Sequence, residues 1–242
     1  MRQPEKQTRR TFMCTGAVVG AGLLLGGCAG ARGPLAGRSA ESQEKHGEGV
    51  SPAEDLMREH GLLRRVLLIY DKALRRIGAG EEPPAEALAD SAAIIRSFIE
   101  EYHEKLEEDY LFPRFRKAGK LVELVDTLLE QHQAGRRLTD ATVKLATAPS
   151  LKAPAEWAAL GDSLRQFIRM YSPHAAREDT VLFPALHEIV SGEEYDDLGE
   201  RFEDKEQDLF GEGGFEKMVE RVAGIERTLG IYELKQFTAK LI

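Results

Sequence analysis

The stretch HEKLEEDYLFP, residues 103–113, recurs 71 residues later as HAAREDTVLFP, residues 174–184. Each copy has a histidine four residues before a glutamate and ends in Leu-Phe-Pro. In an α-helix this spacing puts both side chains on one face, one turn apart. A second pair of segments, HGLLRR at residues 60–65 and HQAGRR at residues 132–137, repeats at an offset of 72. The body of the chain is therefore predicted to be a duplicated helical hairpin.

The segments around these motifs have the hydrophobic period of helices. The capping box SPAE at residues 51–54 starts the first predicted helix, which ends near Gly78. Three more predicted helices run from Pro84 to Gly119, from about Leu121 to Thr147 and from about Pro154 to Gly192. Short loops rich in Gly and Pro join them. The prediction is an all-α, up-down-up-down four-helix bundle with extra helices at the C-terminus.

Composition excludes several classes of protein and site. A chain of 242 residues, 42% hydrophobic and 31% charged, can bury one substantial core. Its formal net charge of -8 argues against nucleic acid as the main partner. Cys14 and Cys28 are the only cysteines, which excludes a disulfide framework and a thiolate cluster. Any metal ion must therefore be held by histidine and carboxylate.

Four of the six histidines and two glutamates are predicted to meet at one depth of the bundle. His60 lies about 18 residues before the turn at Gly78, and His103 about 19 residues after Pro84. A rise of ~1.5 Å per residue brings them level on antiparallel helices, and His132 and His174 behave alike. One such residue alone is usually a core histidine or half of a surface pair. Two level-matched copies favour a site for iron, manganese or zinc. The predicted ligands are His60, His103, Glu107, His132, His174 and Glu178.

This ordered set, with its repeated Leu-Phe-Pro, resembles the hemerythrin-like (HHE) cation-binding family over about residues 50–190. The resemblance implies a non-haem di-iron centre in which Glu107 and Glu178 are bridging carboxylates. Each iron would take two histidines, with an oxo or hydroxo bridge between the irons. Classical oxygen-carrying hemerythrins have a fifth histidine where this chain has Arg136. Its loss leaves both irons about one ligand short of octahedral, which argues against simple oxygen carriage.

Three functions remain open on the sequence alone, and it does not decide whether the chain is an enzyme. The first is a di-iron protein that binds or reacts with oxygen, nitric oxide or peroxide. The second is a protein of iron storage, iron delivery or iron-centre repair in the same family. The third is a metal-poor structural adaptor, which the repeated ligand set counts against.

Residues 1–27 are predicted to be an export signal. TRRTFM, residues 8–13, resembles the twin-arginine motif, and LGGC, residues 25–28, resembles a lipobox. Cleavage would then precede Cys28, whose sulfur would carry a lipid anchor to a membrane. The alternative is a transmembrane anchor, but the apolar stretch is shorter than the ~20 residues a span needs. The expected location is the bacterial cell envelope, on the periplasmic side.

The predicted organisation continues with a flexible tether at residues 28–50 and the di-metal bundle at residues 51–192. Residues 193–242 form an acidic helical extension. Its acidic face is either ordinary solvated surface or a docking face for a cationic redox protein.

Two further pairs of residues are candidates for a place beside the site. Tyr171 and Tyr110 either face the centre or belong to ordinary packing. Glu59 and Glu130 either hydrogen-bond to ligand imidazoles or lie on the surface.

Overall fold

The computed structural model describes residues 50–147, 151 and 153–240. These residues are largely helical and contain no strand. The predicted export signal, Cys28 and the tether up to residue 49 lie outside the described residues, so these interpretations stay predictions. Within the described ranges, no helix has the length and apolar character needed to cross a membrane.

The described residues form six helices. The first four are α1 (Pro52–Gly78), α2 (residues 85–118), α3 (Val122–Ala146) and α4 (residues 154–186). They are followed by α5 (Gly192–Phe210), α6 (Gly214–Thr228) and a 3-10 turn at Leu234–Phe237.

Two of these helices widen into π-helical turns next to the repeated motifs. In α2 the π-helical stretches are Ile95–His103 and Glu107–Leu111, and in α4 the stretch is Glu178–Leu182. Pro113 and Pro184 follow within two residues of a π-helical stretch. Proline has no N–H and its ring clashes with the preceding turn, so the normal α-helical bond pattern cannot continue through it. The structure accordingly has π-helical turns just before these two prolines.

Helices α1 to α4 form the predicted four-helix bundle. α1 packs against α2 and α4, and α3 packs against the same two helices. Aromatic side chains fill the interior, for example Tyr70 and Phe167, whose rings meet edge to face with centroids 5.3 Å apart. One predicted boundary is wrong: α4 ends at Leu186 rather than at Gly192. Ser191 caps the next helix by accepting a hydrogen bond from the Glu194 backbone N–H.

Helices α5 and α6 are the extra C-terminal helices, and they pack on α1 and α2. Arg65 of α1 makes a bidentate ion pair with Glu226 of α6, with N···O distances of 3.1 and 2.5 Å. Phe98 of α2 contacts Phe210 and Phe215 of the extension. The extension therefore covers one side of the bundle through both apolar and charge-assisted contacts.

Candidate metal centre

All six predicted ligands lie together inside the bundle, and none is more than 4% exposed. The four histidines form two pairs, each contributed by two neighbouring helices. The first pair is His60 of α1 and His103 of α2, and the second pair is His132 of α3 and His174 of α4. A ligand atom of each first-pair histidine lies within 4.8 Å of a Glu107 oxygen, and the second pair has the same relation to Glu178.

Each glutamate lies between the two histidine pairs. The two oxygens of Glu107 face different pairs: Oε1 is 3.9 Å from His103 Nε2, and Oε2 is 3.3 Å from His132 Nε2. Glu178 also contacts one histidine of each pair through Oε2, which is 3.3 Å from His60 Nε2 and 3.1 Å from His174 Nε2. Each carboxylate is therefore within reach of both histidine pairs.

The ligand atoms have the spacing expected around a metal ion, and several of them have no hydrogen-bond partner. Nε2 of His60 and Nε2 of His103 are 3.1 Å apart. Two nitrogens at about 2.1 Å from one metal ion, at right angles, are separated by about 3.0 Å. His132 Nε2 and both carboxylate oxygens of Glu107 and of Glu178 are buried and have no partner with hydrogen-bond geometry. Because such groups are costly in a protein interior, a cation that binds them satisfies the site.

Burial and the neighbouring charges shift the pKa values of the ligands in both directions. Burial raises the pKa of Glu107 well above its ordinary value, and the nearby Glu178 raises it further. Burial alone would lower the pKa of His60, but Asp179 and Glu178 raise it to about 9. Burial lowers the pKa of His103 well below its ordinary value and that of His132 to about 4. These two neutral imidazoles therefore offer Nε2 lone pairs to a metal ion.

A hydrogen bond from the outer ring nitrogen, Nδ1, orients every ligand histidine. The acceptors are Asp179 Oδ1 for His60 at 2.6 Å, Glu59 Oε2 for His103 at 2.7 Å, Glu108 Oε1 for His132 at 3.1 Å and Gln131 Oε1 for His174 at 2.8 Å. A neutral imidazole that donates this hydrogen bond from Nδ1 presents the lone pair of Nε2 to the centre of the bundle. Such partners fix the ring orientation and tune the basicity of the ligand.

Sequence reasoning named Glu59 and missed the other three acceptors. A signal for them exists in the repeat. Glu108 and Asp179 directly follow the motif glutamate in their respective copies, and each contacts a histidine of the other hairpin. Glu59 and Gln131 directly precede the first histidine of each hairpin. The acceptors are therefore repeated in the two hairpins as the ligands are. The one chemical difference is that Glu59, a carboxylate, corresponds to Gln131, an amide.

Of the remaining residues that the sequence suggested for a place beside the site, only Tyr171 lies there. Glu130 is exposed, and Tyr110 packs against Phe202 with ring centroids 5.8 Å apart. Tyr171 lies next to the centre, with its ring centroid 5.3 Å from that of His174. Its hydroxyl donates a hydrogen bond to Glu104 Oε1 at 2.6 Å. Tyr171 therefore has a polar partner beside the site, whereas Tyr110 belongs to the packing of the C-terminal extension.

Arg136 does not take the place of a ligand. Its Nη2 lies 2.8 Å from Glu104 Oε2 and 2.6 Å from Glu108 Oε1. The guanidinium group therefore holds Glu108, the hydrogen-bond acceptor of His132. The corresponding residue of the first hairpin, Arg64, pairs in the same way with Asp179. Sequence comparison placed both arginines in the repeat but could not show which carboxylates they bind.

The buried Glu104 predicts a pH dependence of stability. Burial raises the pKa of Glu104 from 4.5 to about 8, although Tyr171 and Arg136 favour its charged form. Between these pH values the folded protein keeps a proton that the unfolded chain releases, so stability falls as pH rises. We expect the free energy of unfolding of the chelator-treated protein to drop between pH 5 and pH 8, by on the order of a few kcal/mol. Urea unfolding across this range measures it.

The matched variants for this pH prediction are Glu104→Gln and Glu101→Gln. A glutamine side chain cannot titrate, so the first variant should show a shallower fall than the wild type. Glu101 is exposed on the same helix, and its replacement should leave the slope unchanged. Equal slopes for all three proteins would contradict the assignment to Glu104.

An antiparallel four-helix bundle with four buried histidines and two buried glutamates defines a metal-binding bundle protein. The chain belongs to the hemerythrin HHE cation binding domain family, which matches residues 51–186. It is similar to uncharacterized proteins of Mycobacterium bovis and Mycobacterium tuberculosis, each 45% identical over 236 residues. Each match covers 97% of this chain and 92% of the relative. No solved structure matches significantly.

Proposed function

We propose that this chain is a non-haem di-iron protein that binds or reacts with oxygen, nitric oxide or peroxide. The observation that carries the proposal is the position of Glu107 and Glu178. Each of these glutamates contacts one histidine from the first pair and one from the second. Two metal ions, one at each pair, would use both carboxylates as shared ligands. Four imidazoles and two carboxylates without a thiolate suit iron, and manganese and zinc are the alternatives that metal analysis distinguishes.

The residues of the chain would hold the two ions and keep bulk water away from them. A non-haem di-iron centre supplies coordination and electron-transfer chemistry toward diatomic gases and peroxides. The outer hydrogen bonds hold the imidazole Nε2 atoms inward before any ion binds, which lowers the cost of assembling the site. Phe183 stacks on His60 and Phe112 on His132, so the two Leu-Phe-Pro repeats place an apolar ring against each hairpin's first ligand. Such a buried site suits small ligands.

Reaction rather than reversible oxygen carriage is the proposed outcome because α3 offers no additional imidazole one turn after His132. The residue there, Arg136, is occupied by Glu104 and Glu108. Both ions would then have a free coordination position for a small ligand. A more protected and asymmetric ligand set, with a fifth histidine, is the arrangement that the resemblance associates with carriage.

The test uses protein purified without oxygen and analysed for iron, manganese and zinc. We expect about two iron ions per chain, rapid appearance of ferric absorption on mixing the reduced protein with oxygen, and a spectral change on mixing it with nitric oxide. Stopped-flow absorption records both reactions, and the exposed-site variant Glu101→Gln serves as control. A spectrum that forms with oxygen and reverses under vacuum would instead indicate an oxygen carrier. Inertness to both gases, with ready loss of iron to a chelator, would indicate storage or delivery.

We further propose that the mature protein is exported and held at a membrane through a lipid on Cys28. The support is the sequence of residues 8–13 and 25–28 alone. The Cys28→Ala variant should accumulate as an unprocessed precursor, because lipid transfer to the cysteine precedes cleavage at a lipobox. Intact-mass analysis of the membrane fraction measures this. A wild-type protein without a lipid that begins elsewhere in residues 15–40 would contradict the anchor.

A further inference from the structure

The two histidine pairs are related by the internal repeat, so their surroundings can be compared position by position. Glu108 accepts a hydrogen bond from His132, and Asp179 accepts one from His60. Each of these carboxylates is also paired with an arginine at the same position of its hairpin, Arg136 or Arg64. The same residue positions are therefore paired at both sites, with Nδ1···O distances of 2.6 Å for His60 and 3.1 Å for His132.

The remaining outer contact differs between the pairs. His103 donates its Nδ1 proton to Glu59, a carboxylate, at 2.7 Å. His174 donates its Nδ1 proton to Gln131, a neutral amide, at 2.8 Å. Glu59 and Gln131 both directly precede the first histidine of their hairpin, so they are corresponding residues of the repeat. The first pair therefore has two carboxylate acceptors, and the second pair has one carboxylate and one amide.

A carboxylate acceptor makes an imidazole a stronger electron donor than an amide acceptor does, because it draws the Nδ1 proton toward a negative charge. Glu107 and Glu178 each contact both pairs. These two carboxylates therefore do not add to the difference between the pairs that Glu59 and Gln131 create. Glu108 is also paired with Lys105, whose corresponding residue in the second copy of the repeat is the uncharged Ala176. The positive charge of Lys105 partly neutralises Glu108, the acceptor of His132. Like Gln131, it therefore makes the histidines of the second pair weaker electron donors.

We propose that the two metal positions are inequivalent: the His60–His103 position binds its ion first and more tightly, and Gln131 weakens the His132–His174 position. This inference rests on the proposed two-ion centre and adds an order of filling to it. Gln131 and Glu59 are positioning residues, since they act on the metal through His174 and His103. The second position then holds the more easily lost ion.

The test is stepwise binding of Co²⁺ to the chelator-treated full chain, followed by calorimetry and by the visible absorption of the bound ion. The variants Glu59→Gln and Gln131→Glu exchange amide and carboxylate between the two pairs with little change in shape. Gln133→Glu is the matched control, because it adds the same charge on the exposed side of α3. Far-ultraviolet circular dichroism of each variant establishes that the helices are intact.

If the first Co²⁺ ion binds at the His60–His103 position, Glu59→Gln should lower the affinity of the first binding step about tenfold. The affinity of the second step should stay within about twofold of the wild-type value. Gln131→Glu should strengthen the second step about five- to tenfold and leave the first within about twofold. Gln133→Glu should change neither. This pattern separates true inequivalence from mutual repulsion of two ions at equal positions, which would also make the second step weaker.

Equivalent positions predict the opposite pattern. An ion could then move to the unmodified pair, so Glu59→Gln would weaken mainly the second step and Gln131→Glu would strengthen mainly the first. That result, or an effect of Gln131→Glu no larger than that of Gln133→Glu, would overturn the inference. Uptake of fewer than two Co²⁺ ions by the wild-type chain would instead contradict the proposed di-metal centre. The two failures are therefore distinguishable.

Discussion

Replacement of Glu107 by glutamine should lower the iron content from about two ions per chain to well under one. The reason is the position of its two oxygens, which face His103 in one pair and His132 in the other. An amide has nearly the same shape but offers one neutral oxygen in place of two that share a negative charge, so the shared ligand is lost and the binding of both ions is weakened. Metal analysis of the purified variant, after removal of free iron, measures the effect.

Glu101→Gln is the matched control for this prediction because Glu101 is exposed on the same helix. It should retain the wild-type iron content. His174→Ala provides a graded comparison, since His174 belongs to only one pair, and this variant should lose mainly one ion. If Glu107→Gln binds as much iron as the wild type, Glu107 is not a shared ligand and the di-iron proposal loses its main support.

Gly135→Ala should be the most destabilising small substitution near the site. A Cβ atom at residue 135 would lie 1.9 Å from the Tyr171 hydroxyl and 2.7 Å from the carbon that bears it. Tyr171 is buried and held by Glu104 at 2.6 Å, so its ring cannot swing away without breaking that hydrogen bond. Overpacking of this kind costs about 1–3 kcal/mol. Urea unfolding of the chelator-treated variant measures the loss.

The control for this prediction is Gly61→Ala, which makes the same chemical change in the interior of α1. Nothing lies within 4 Å of the added Cβ at residue 61. Alanine is a better helix former than glycine, so this variant should be stabilised by about 0.5–1 kcal/mol. Equal stability changes in the two variants would contradict the proposed close approach of Tyr171 to α3. A shifted Tyr171 should also alter the near-ultraviolet circular dichroism of the Gly135→Ala variant only.

The fold was accessible from the sequence because its determinants are local and repeated. Capping at Ser51, the breaks at Gly78 and Gly119, and the period of the apolar residues predict where helices begin and end. The end of α4 was misjudged, because the apolar pattern runs on toward Ser191 while the local hydrogen bonds of Ser191 start a new helix. Helix ends depend on such single contacts, which a period of 3.6 residues does not report.

The six candidate ligands were also accessible, since a helix converts sequence spacing directly into position on a face and height along an axis. The spacing of four between His103 and Glu107, and again between His174 and Glu178, is sufficient to predict that each pair shares a face. The two copies then predict a common depth in the bundle. Their role as metal ligands remains a prediction that metal analysis of the variants tests.

Contacts between helices were decided only by the tertiary structure. Asp179 reaches His60 across 119 positions of sequence, and Arg136 turns to Glu104 and Glu108 rather than to the ligand atoms. These choices depend on rotamers and on the rotation of one helix against another, which no spacing within a single helix specifies. Spacing and capping within each helix were therefore sufficient to predict the four main helices, their repeat and the common level of the candidate ligands. The packing of the four helices decided which groups face each ligand, because those distances are fixed between helices and not along them.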